Sequence, residues 1–241
     1  MRTFTIILFI FFVFFLIISL FVLDPFPFFL VIFLAFLMAF ICLAVYLGPS
    51  RGIFAGLIFI ALPFILESLY YRYHLPFSSL PLFKNLTLDR SNLPVTLTSL
   101  FTVITIPLFF ISALFFAQKI KLLASVKIYH KTFLIVTSSF LMAISFLSVK
   151  PNAIAYQNFL KWLIIALIIY FASAWLYKFK PQTAEIYKEL PIILYLAIYG
   201  VSALKRLDVF NLMITILFTI IYLILLYNEY KIRKLSQTLK L

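Results

Sequence analysis

Carboxylates are scarce in this 241-residue chain: seven Asp and Glu stand against twenty Lys and Arg, with only two His, four Gly and one Cys. Each shortage excludes something. The seven acids are Asp24, Glu67, Asp89, Glu185, Glu189, Asp208 and Glu229. They contain no Asp-rich pair of the kind that holds magnesium for prenyl or phosphatidyl transfer. His74 and His130 fall on opposite membrane faces in the topology derived below, so they cannot share a zinc or a haem. GxSxG, HExxH and phosphate-cradling glycine loops are missing. Metal-dependent and serine-nucleophile chemistry is therefore disfavoured, and the chain is expected to carry no cofactor and no metal. Cys42 has no disulfide partner and sits in an apolar run, where it reads as a small packing residue.

Also missing is any polar stretch long enough to build a core of its own. Hydrophobic residues make up 66% of the chain and the mean hydropathy is +1.18, whereas soluble domains are nearer half apolar. What is present is a series of apolar runs: Thr3–Leu23, Phe26–Leu47, Gly52–Tyr71, Val95–Ala117, Thr132–Val149, Trp162–Tyr177, Leu190–Leu204 and Val209–Tyr227. A hydrocarbon core about 30 Å thick takes roughly 20 helical residues to cross. The expected fold is all-α, a polytopic integral membrane helix bundle of about eight transmembrane helices forming one domain over residues 1–241. The seventh run is short, and without it the count falls to seven. The first run resembles a signal peptide, but it is too long, and no small-x-small cleavage site precedes Asp24-Pro25. It is expected to stay as the first span.

The net charge of +13 would suggest nucleic acid in a soluble protein. Here the basic residues gather at the ends of the apolar runs, as the positive-inside rule predicts for a membrane protein. With eight crossings and both termini inside, thirteen of the twenty basic residues lie on inner segments (2, 51, 119–131, 178–188 and 231–240). The other seven lie on outer ones. Removing the seventh crossing weakens that asymmetry. The expectation is a multi-pass protein of the cell membrane with cytoplasmic amino and carboxyl termini, binding membrane lipid and no nucleic acid.

Glu67 is the one carboxylate inside an apolar span. On a continuing helix, Glu67, Tyr70 or Tyr71 and His74 share a face, and Arg72 lies within pairing range of the carboxylate. An intramembrane acid costs about 2.5–3.5 kcal/mol at a helix centre on insertion scales, so it normally faces protein or water. Glu67, Tyr71, His74 and Arg72 are therefore the candidate site residues, against the alternative of a hydrated structural pair near the outer headgroups. Hydroxyl stripes at Thr98, Thr102, Thr105 and Ser112, and at Ser138, Ser145 and Ser148, read first as helix packing and second as a polar path. Gly52 and Gly56 form a GxxxG that suits close helix contact, either within the protein or between copies in a homo-oligomer. Segments 118–131 and 178–189 read as interfacial anchors, or as contacts for a cytoplasmic or membrane partner subunit.

The functional expectation is a small permease or the integral membrane subunit of a larger complex, leaning away from an enzyme. The alternative is a cofactor-free membrane enzyme acting on a lipid or isoprenoid, with Glu67 as general acid.

Overall fold

In a computed structural model the described residues are 2–22, 25–72, 93–124, 130–145, 153–177, 186–205 and 209–238. They form eight α-helices: α1 (Arg2–Phe21), α2 (Pro25–Leu47), α3 (Pro49–Arg72), α4 (Leu93–Ala124), α5 (His130–Ser145), α6 (Ala153–Ser173), α7 (Ile186–Lys205) and α8 (Val209–Thr238). A single 3₁₀ turn, Ala174–Leu176, ends α6, and no strand occurs among the described residues. Four helices carry a segment long and apolar enough to cross a membrane: Thr3–Phe21, Phe26–Leu47, Phe159–Leu176 and Asn211–Lys231. Shorter apolar segments occur in α3, α4 and α5. The chain is a membrane-embedded helical protein.

Why the helices stack as they do follows from which faces are apolar all round. From Ile106 to Lys119 every residue of α4 is buried. A helix apolar on all sides belongs at the centre of a bundle, and α4 packs against α2, α3, α5, α7 and α8. The α7 helix is nearly as enclosed, with Leu190, Ile192, Leu194, Tyr195, Ile198 and Tyr199 buried between α2, α4 and α8. The expected seventh run, Leu190–Leu204, is thus the middle of a 20-residue helix at the heart of the fold. By contrast, α1 packs mainly on α2, and α8 on α7 and α4. These two helices turn Phe4, Ile10, Phe14, Met213, Leu217 and Leu223 outward. Lipid solvates such faces where water would not.

Ring contacts set the directions. Phe116 lies 6.0 Å from Phe218 and 6.4 Å from Tyr222 between ring centroids, and Lys119 further along α4 reaches Glu229 further along α8, so the two helices run the same way. Tyr46 at the end of α2 meets Phe115 at 5.1 Å, and Phe59 of α3 stacks on Phe110 at 5.5 Å. Between α2 and α3 the turn is built by Gly48, whose φ of 95° suits glycine, followed by Pro49 at the first helical position. The Gly48 carbonyl accepts the first α3 hydrogen bond, from the Gly52 N–H at 2.8 Å.

Several boundaries differ from expectation. The α4 helix continues through Gln118 and Lys119 to Ala124, so the first part of segment 118–131 is a helix end inside the bundle and no separate interfacial helix. Lys161, expected in an outer connector, is the ninth residue of α6 and only 1% exposed. Charges that end an apolar run in the sequence do not end a helix whose neighbours supply polar partners.

Candidate functional site

Glu67, Tyr70, Tyr71 and Arg72 lie on the final turns of α3, but their side chains are outside the described residues, as is His74 altogether. Pro63 does lie inside α3, where it leaves the Phe59 carbonyl without its helical bond. Buried ion pairing is described elsewhere, at the ends of α4, α7 and α8.

Lys119 is the residue around which that site is built. It ends the buried stretch of α4, one turn beyond Phe116, and its side chain is only 6% exposed. Its ammonium pairs with Glu189 Oε1 from the first turn of α7, and with Glu229 Oε2 from α8 at 3.0 Å. Tyr222 donates its hydroxyl to Glu189 Oε2 at 2.7 Å, and the Tyr222 ring lies 5.3 Å from the Lys119 nitrogen. Two carboxylates from two helices therefore hold one ammonium, while an aromatic face stacks beside it. The carboxylates keep more access to the outside than the lysine does, at 21% for Glu189 and 28% for Glu229.

On the α2 side the cluster continues into neutral groups. The Gln118 amide hydrogen-bonds the Tyr46 hydroxyl, and the charges of Glu189 and Glu229 act on the same phenol. Lys188 places its ammonium 5.9 Å from the Tyr46 ring. Gln118 Oε1 is buried without a partner. Turning the amide over would let Tyr46 donate to that oxygen, so it calls for no ligand.

About two turns before Lys119 on α4, Ser112 donates to the Pro191 carbonyl at 2.8 Å and ties α4 to α7. Ser112, Ala113 and Phe116 of α4, Leu141 of α5, Tyr195 of α7 and Phe218 of α8 line a narrow, half-open cleft. Ser139, Ser173, Thr215 and Thr219 each bond a carbonyl one turn back in their own helix, as hydroxyls do in helices held away from water. Ser112 instead bridges two helices, and Ser138 is buried with no partner. The side chains of Thr98, Thr102 and Ser145, and Ser148 altogether, lie outside the described residues.

The glycine notch is filled from within the chain. A Cβ on Gly52 would stand 2.3 Å from the Ala44 Cα, and one on Gly56 would stand 2.1 Å from a ring carbon of Phe40. Of the two uses expected for this GxxxG, the contact within the protein is the one seen at both glycines. Among the described residues no group of three His, Cys, Asp or Glu could hold a metal ion.

Sequence reasoning treated Lys119, Glu189 and Glu229 as seam charges, because each stands where an apolar run stops. The available signal was their sign. Glu189 and Glu229, two of only seven acids, stand in segments otherwise rich in lysine and arginine. No family model matches this sequence, and neither a curated protein nor a solved structure shows significant similarity to it.

Proposed function

We propose that this protein is a small permease, acting alone or as the membrane subunit of a larger complex. In this reading all eight helices cross the cell membrane, both termini are cytoplasmic, and the Lys119–Glu189–Glu229 cluster closes the inner end of the path. One observation carries the proposal: a nearly buried ammonium holds carboxylates from two other helices. Such a cluster is a poor device for stability alone, because apolar residues of similar volume would hold the helices as well or better. It is a good device for a closure that must open, since water can replace each partner once α8 or α7 moves aside. Intramembrane ionisable groups that face one another are the usual markers of ion and solute pathways.

The test reads access. In a Cys42→Ala background, Ser112→Cys puts a thiol about two turns before Lys119 on α4. A membrane-impermeant thiol reagent applied to the inner face should label it slowly, and at least about tenfold faster once Lys119→Met removes the shared cation. Labelling from the outer face should stay slow in both. Equal inner-face rates with and without Lys119 would end the gating reading.

A further inference from the structure

Three helices meet at Lys119, and they differ in how freely their ends can move. The α8 helix runs from Val209 to Thr238 with neither proline nor glycine, so Glu229 sits on an unbroken rod. The α4 helix contains Pro107, but about three turns before Lys119, and every residue from 106 to 119 is buried. The α7 helix alone is interrupted beside its own charge. Pro191 lies inside it, two residues beyond Glu189.

That proline weakens one joint of the helix. It has no N–H to give the Tyr187 carbonyl, and its ring disfavours helical geometry at Leu190. On the far side of the joint α7 is held firmly. Ser112 of the enclosed α4 donates to the Pro191 carbonyl at 2.8 Å, and Ile192, Leu194 and Ile198 are buried. A bend at Pro191 therefore moves the short turn and leaves the long arm in place.

At rest the turn is held shut. Tyr187 and Leu190 are buried, and both Glu189 oxygens are engaged, one by Lys119 and the other by the Tyr222 hydroxyl. Lys119 also holds Glu229, so its ammonium keeps a counter-ion when Glu189 leaves. Glu189 is already 21% exposed, and a small swing is enough to hydrate it.

We propose that residues 186–190 of α7 form a latch that swings about Pro191 and carries Glu189 off Lys119 while α4 and α8 stay in place. The proposal rests on the gating reading above and names the element that moves.

The test compares thiols on the two sides of Pro191, using the full chain in sealed membrane vesicles and a Cys42→Ala background. Leu190→Cys reports the turn, and Leu194→Cys reports the arm. With a membrane-impermeant thiol reagent on the inner face, Lys119→Met should speed labelling at 190 at least about tenfold and leave 194 slow. Pro191→Ala returns the missing N–H, and should slow labelling at 190 in the Lys119→Met protein at least about threefold. Where Leu190→Cys does not give a single species, Tyr187→Cys reads the same turn. Equal acceleration at 190 and 194 would overturn the latch and make the whole helix the moving part. No effect of Pro191→Ala would overturn the hinge. Unchanged labelling at 190 would overturn the proposal as well, and Ser112→Cys then separates the causes. Its labelling still rises with Lys119→Met if α8 is the part that moves, and stays slow if there is no gate.

Discussion

Lys119 is unusual less for being buried than for being shared. Removing one member of a buried ion pair strands the other, at a cost of about 3–5 kcal/mol when burial is complete. Here two carboxylates retain some contact with the outside, which lowers that cost to about 2 kcal/mol. Lys119→Met removes the cation that Glu189 and Glu229 share. Thermal unfolding in detergent should then begin about 4–8 °C lower, using the usual 2–4 °C per kcal/mol for a chain of this size. The triple variant Lys119→Met, Glu189→Gln, Glu229→Gln has no stranded charge, so it should recover most of the loss. A triple variant as unstable as Lys119→Met alone would mean that the cluster acts through packing of the lysine stem rather than through charge.

At the scale of elements, α2 and α3 form a close joint. The two glycines there are not equivalent. At Gly52 the obstacle to a Cβ is backbone, the Ala44 Cα and the Leu43 carbonyl oxygen, and backbone cannot rotate away. At Gly56 the obstacle is the edge of the Phe40 ring, which can swing. Overpacking a well-filled interface typically costs about 1–3 kcal/mol. Gly52→Ala is expected at or above the top of that range and Gly56→Ala near the bottom, measured as thermal stability of the purified variants. The reverse order would mean that α2 and α3 separate more readily than their spacing implies. The same joint explains why the GxxxG was legible as a close contact from its spacing, while its partner was not. Ala44 lies on the next helix back, and only the turn at Gly48 decides which face of α3 meets it.

At the scale of the whole molecule, the proposed topology makes α7 the decisive helix. A reporter active only in the cytoplasm should work when fused to either terminus or inserted at 178–185, and should be silent at 206–208. Activity at 206–208 would remove the seventh crossing and return the count to seven. The sequence alone was enough to determine the class of protein. Runs such as Thr3–Leu23 and Phe26–Leu47 are too apolar for water whatever they pack against, and helices Arg2–Phe21 and Pro25–Leu47 match them closely. Hydropathy acts residue by residue, so it survives being read in one dimension. Which helix lies at the centre was decided only by the tertiary structure: the runs Val95–Ala117 and Val209–Tyr227 are both free of charge, yet residues 106–117 are enclosed while much of α8 faces outward. The same holds for the site. Lys119, Glu189 and Glu229 are 70 and 110 residues apart along the chain, and each alone is an ordinary charge at a helix end. Their chemistry exists only because α4, α7 and α8 bring their ends together where water is sparse, so that each charge must find its counter-ion within the protein.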